Sequence, residues 1–151
     1  MVSNVTLKDI LLSRDELERY YDGAVPLNLW RAMNLRTNKR LFDLVESPYK
    51  MSNGRVRRPD ISIENGWVRV RSAPRGISTF DRMGVSTGND WVYYRIPQGT
   101  RLPRGLAIVK DSYNEQMKAT HYTIAPAYDM PVAVFRRLLN QLATSALRES
   151  A

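Results

Sequence analysis

The stretch ISIENGWVRV, residues 61 to 70, restricts the fold more than any other part of the chain. Two β-prone segments flank Asn65–Gly66, and an Asn–Gly pair accepts the positive φ angles of a type I′ turn with little strain. The stretch therefore predicts a two-stranded antiparallel hairpin, which makes antiparallel pairing the pattern to look for elsewhere.

Several other segments alternate in the same way. VPLNLWRAMN places Leu27, Leu29 and Arg31 on one side and Asn28, Trp30 and Ala32 on the other, a strand pattern. DWVYYRIP alternates and stops at Pro97, LAIVKD reads as a short strand, and HYTIAPA as another, with SYNEQMKA between them as a polar turn or short helix. Helical signals are fewer. SRDELERYYDG has Ser13 and Glu16 at capping-box spacing, closes on Gly23, and offers Leu12 and Leu17 for packing. The residues after SAPRG read as helical from Ser78. In DMPVAVFRRLLNQLATSALRES, Phe135, Leu138, Leu139, Leu142 and Ala146 recur at helical spacing behind Asp129 and Pro131, which predicts an amphipathic C-terminal helix lying on the sheet. RLFDLVESP fits a helical turn or a short strand, and KMSNGRVRRPD reads as a mobile basic loop. About five or six strands scattered among a few helices define an α+β fold with mostly antiparallel pairing. There is no strand–helix–strand rhythm and no glycine-rich phosphate loop, which argues against Rossmann and P-loop proteins.

The 151 residues are expected to form one domain, 1–151, since a second core would be cramped. Lys and Arg exceed Asp and Glu by enough to give a formal charge of +8. Such a surface suits nucleic acid, an acidic protein or a polyphosphate ligand, or it is simply a well-solvated basic surface. The absence of cysteine excludes disulfides and thiolate metal sites, and a single histidine excludes a His-rich one, so no metal is expected. No apolar run approaches a membrane span, and MVSNVTLKDI lacks a signal-peptide pattern. The expectation is a protein made in the cytoplasm with no membrane partner, export without a cleaved signal remaining open.

Three constellations carry possible chemistry. His121, between Thr120 and Tyr122 at the mouth of a strand, can orient a ribose hydroxyl or act as acid or base, or else be satisfied by a backbone carbonyl. In RGISTFD, Gly76 frees the backbone while Ser78 and Thr79 offer adjacent hydroxyls, for a ribose or phosphate or as a helix cap. Arg31, inside an apolar strand, needs a partner: Asp81, Asp111 or an anionic ligand. Arg55, Arg57 and Arg58 are either a solvated face or part of the same anion site. A Ser–His–Asp triad lacks a nucleophile elbow. A competing reading is a non-enzymatic nucleic-acid-binding module that stacks bases on Trp67, Trp91, Tyr93 and Tyr94.

The runs GISTFDRMGV, IPQGTRLPRGL and DSYNEQMKATHYTIAPA, and more weakly LWRA and RRPDI, resemble the type VI secretion exported effector 2 family of antibacterial toxins. The resemblance implies an ADP-ribosyltransferase-like fold, a split and mostly antiparallel β core with helices around it. It also implies NAD as substrate, action in the cytoplasm of a target cell, and neutralisation by a cognate immunity protein. Given the basic charge, that protein is expected to be acidic. By the same resemblance Arg31 is the first-strand arginine for phosphate and ribose. Ser78 is then the middle-strand hydroxyl with Thr79 beside it, and Arg57 and Ser78 match positions associated with toxicity. The last motif carries no E-x-E pair; Glu115 and Asp111 sit beside it, and His121 and Tyr122 hold its prominent polar positions. Transfer to an unknown acceptor, protein or nucleic acid, and hydrolysis both stay open.

Overall fold

In the computed structural model, which describes residues 5–86 and 88–149, Asn65 and Gly66 have φ of 52° and 77°. They join β5 (Ser62–Glu64) to β6 (Trp67–Arg69) in the expected antiparallel hairpin. The other strands are β1 (Tyr20–Tyr21), β2 (Leu29–Asn34), β3 (Tyr49–Lys50), β4 (Val56–Arg57), β7 (Ile77–Phe80), β8 (Trp91–Ile96), β9 (Leu106–Asn114), β10 (Ala119–Pro126), β11 (Met130–Pro131) and β12 (Leu147–Glu149). Two α-helices, α1 (Leu7–Ser13) and α2 (Val132–Ala143), complete the described residues. Seven strands form one sheet in the order β1-β9-β10-β7-β2-β8-β12; β11-β6-β5 and β3-β4 form two smaller sheets. Every pair is antiparallel, so the α+β class with antiparallel pairing holds.

The long β9–β10 hairpin sets the layering. Its first half reads as an unbroken buried run because both faces are covered. On one face Leu106, Ile108, Tyr122 and Ile124 join the main core with Ile77, Ile96 and the α2 residues Phe135, Leu138, Leu139 and Leu142. On the other, Ala107, Val109 and Ala125 meet Leu7 and Leu11 of α1, with Val70. Phe135 and Leu139 are both 0% exposed. Burying each contributes roughly 1.5–3 kcal/mol.

Several elements differ from expectation. The N-terminal helix is capped seven residues before Ser13: Thr6 caps α1 in a reciprocal box with Asp9, Ser13 ends it, and Leu12 is exposed. Leu17–Arg19 is a single 3-10 turn after Asp15, whose φ of 57° breaks the helix. The segment from Ser78 is strand β7, not a helix. Its four residues align with Ile124 to His121 of β10, and this pairing overrides the local pattern. KMSNGRVRRPD is the β3–β4 hairpin, turning on Gly54 at φ 85°. The final helix stops at Ala143, and Leu147–Glu149 returns as β12 beside β8. Asp129 does not cap α2; its carboxylate accepts the Val70 N–H and an Arg69 guanidinium N–H. RLFDLVESP is neither helix nor strand, although Leu41 and Phe42 are buried.

Candidate functional site

Three strands deliver the candidate binding residues to one place. Arg31 of β2 donates from Nη1 to the Ser78 carbonyl at 3.0 Å and from Nε to the Leu41 carbonyl at 3.4 Å. Its expected carboxylate partners are engaged elsewhere. Asp81 accepts the Thr120 N–H, and Asp111 accepts from Thr123 with His121 Nδ1 2.7 Å from the same oxygen. Arg31 belongs to none of the ion pairs among the described residues. Burial holds its pKa below the ordinary arginine value; Asp60 opposes that shift, Arg57 adds to it, and Asp43 opposes it again. A partly buried cation that holds only main-chain carbonyls favours an incoming anion.

Arg57 of β4 reaches Asp60 Oδ1 at 3.0 Å and the Arg58 carbonyl at 2.6 Å. Asp60 is nearly buried, and its other oxygen accepts the Val45 N–H at 2.8 Å. One carboxylate thus fixes the β4 arginine and the 43–47 segment together. In the sequence Asp60 is marked only by its i+3 spacing from Arg57.

Arg57 and Ser78 stand on the boundary between two adjoining cavities, one of about 570 Å3 and one of about 320 Å3. The larger also takes in Arg31, Asp43, Tyr49, Lys50 and Trp91. The smaller takes in Asp60, Arg75, Asp111, His121 and Thr123. Volumes of this order suit a small organic ligand, and the four cations favour an anionic one. Arg75 donates from Nε to the Val70 carbonyl at 2.8 Å. Burial lowers its pKa, Arg14 adds to the shift, and Asp111 and Glu16 oppose it.

The remaining candidates divide by strand alternation. Ser78, His121 and Thr123 line the smaller cavity, whereas Thr79 and Tyr122 line neither. Thr79 is 0% exposed, and its hydroxyl donates to the Tyr122 carbonyl at 2.9 Å. Tyr122 packs in the main core, where burial raises its phenol pKa, with Tyr21 and Asp81 adding to the shift. The adjacent hydroxyls of Ser78 and Thr79 therefore do not converge, because successive side chains of a strand point to opposite faces. The four aromatics of the stacking reading do not share one sheet. Trp67 lies in the three-stranded sheet, Trp91, Tyr93 and Tyr94 lie in the seven-stranded one, and Tyr93 is buried.

An antiparallel α+β domain with a cationic double cavity is a scaffold suited to a nucleotide-like anion. The chain belongs to the family described as Tse2 ADP-ribosyltransferase toxin, whose model matches residues 7–151. It is similar to Toxin Tse2 of Pseudomonas aeruginosa PAO1, with 42% identity over 73 residues. The match spans 48% of this chain and 46% of that relative, about half the length of each.

Proposed function

We propose that the chain is a toxin domain that cleaves the nicotinamide–ribose bond of NAD, transferring the ADP-ribose or giving it to water, on a split β core of the ADP-ribosyltransferase type. The observation that carries this reading is the meeting of Arg31, Arg57 and Ser78 across two adjoining cavities, within a chain of this toxin family. Cleavage builds positive charge on the ribose, so a site must hold the pyrophosphate firmly and brace the sugar while the bond lengthens. Arg57 offers a fork for the phosphates and Arg31 a partly buried positive charge behind them. Ser78 supplies a hydroxyl at the boundary, and His121 a nitrogen base in the smaller cavity. Thr79 and Tyr122 support β7 and β10 from the core side. The setting is the cytoplasm of a rival bacterium, reached through type VI secretion, with an acidic immunity protein covering the cationic cavities in the producer.

Titration calorimetry with NAD tests the binding half of this reading. Saturable binding is expected, weakened about ten- to a hundredfold in Arg57→Ala by loss of a charge-assisted hydrogen bond. It should persist at salt concentrations that strip nucleic acid from basic proteins through counterion uptake. Folded wild-type protein that ignores NAD but binds oligonucleotides with a steep salt dependence would favour the nucleic-acid module instead.

A further inference from the structure

We propose that Asp111 is a positioning residue that fixes His121 in the tautomer whose Nε2 accepts a proton from the attacking nucleophile. The inference rests on the NAD reading above and supplies the carboxylate that the last motif lacks.

Geometry carries it. The β9–β10 register shifts between Thr120 and Tyr122, so His121 sits at an irregularity in an otherwise regular ladder. Such bulges re-aim side chains and are frequent beside active sites. From there the His121 Nδ1 lies 2.7 Å from Asp111 Oδ2, and the Thr123 hydroxyl donates to the same oxygen. Phe80 holds the ring from the side, with centroids 5.3 Å apart and planes at 60°. Asp111 is itself anchored, its carbonyl accepting an Arg19 N–H at 3.3 Å. All three polar residues line the cavity that Ser78 and Arg57 also line.

An ionised carboxylate only accepts hydrogen bonds, so the imidazole nitrogen facing it carries the proton. Neutral His121 is then the Nδ1–H form, with the lone pair on Nε2. Among the described ion pairs His121 has Asp111 alone, through Nδ1, which leaves Nε2 for chemistry. In the step this permits, the oxygen of water or of an acceptor hydroxyl bonds to ribose C1′. The bond from C1′ to nicotinamide breaks, and its electron pair leaves with neutral nicotinamide. The proton of the nucleophile passes to Nε2, and Asp111 stabilises the resulting imidazolium.

A purely structural role is the competing explanation, and magnitude separates the two. The His121 and Asp111 side chains are 29% and 36% exposed, and pairs this wet contribute little to stability. Removing one member should therefore spare the fold while damaging the chemistry.

His121 is the one histidine in the chain, so two-bond 1H–15N spectra of labelled protein read its tautomer without assignment. The wild type is expected in the Nδ1–H form. In Asp111→Asn the side-chain oxygen that accepts from the Thr123 hydroxyl also faces Nδ1, so the tautomer is kept while the negative charge that stabilises the imidazolium is lost. The kcat for nicotinamide release should fall about 10²- to 10⁴-fold, with KM and the thermal midpoint little changed. Asp111→Glu should recover part of that kcat. The proposal is overturned by a wild-type Nε2–H tautomer, by an Asp111→Asn protein of undiminished kcat, or by activity that falls only in step with the folded fraction. Wild-type protein that releases no nicotinamide sinks the NAD reading and the step with it, while the spectrum still judges the Asp111–His121 pairing alone.

Discussion

Ser78 and Thr79 are chemically similar neighbours with opposite surroundings. Ser78 faces the cavities, while Thr79 is sealed in the core with its hydroxyl bonded to the Tyr122 carbonyl. Ser78→Ala should therefore leave the thermal midpoint unchanged and lower NAD turnover about a hundredfold, the scale of losing one positioned donor. Thr79→Val should do the reverse. Its turnover per folded molecule stays constant, and stability drops about 1 kcal/mol because a buried carbonyl loses a donor. Paired melting curves and turnover assays on the two variants check this split. At this scale residue types were legible in the sequence and directions were not. Arg31 stood out as a charge among apolar neighbours, yet its partners proved to be two carbonyls rather than a carboxylate. Asp60 was invisible because its partners, Arg57 and Val45, meet only after β4 and the 43–47 segment come together.

At the level of elements, Gly76 decides whether β7 can pair with β10. A Cβ there would lie 1.8 Å from the Ile124 carbonyl oxygen and 2.7 Å from its carbon, and backbone cannot give way as a side chain can. Gly76→Ala should destabilise the protein by more than about 4 kcal/mol, in the range reserved for severe steric conflict, and denaturant unfolding would measure it. The need is for space rather than for an unusual φ. Elements set by local chemistry were legible: the Asn65–Gly66 hairpin, the β2 and β8 alternations, and the apolar stripe of α2. Elements set by distant partners were not. β7 is a strand because β10 pairs with it, and β12 exists because β8 offers an edge, although the tail has a helical pattern. The N-terminal helix was missed for another reason, since Thr6–Asp9 and Ser13–Glu16 carry the same capping grammar and the sequence does not rank them.

Over the whole molecule, a formal charge of +8 becomes informative through where its cations sit. Arg31, Lys50, Arg57 and Arg75 border the two cavities against Asp43, Asp60 and Asp111. A pocket of that sign draws in a polyphosphate and gives an acidic partner a surface to cover. Basic composition alone fitted a nucleic-acid binder equally well. The distribution of the aromatics between two sheets, and the family to which the chain belongs, favour the NAD reading. The most direct test is nicotinamide release from NAD by purified wild-type protein and by Ser78→Ala, followed by mass spectrometry. Release by the wild type that depends on Ser78 is expected. Intact NAD after prolonged incubation with a folded, toxic protein would contradict it.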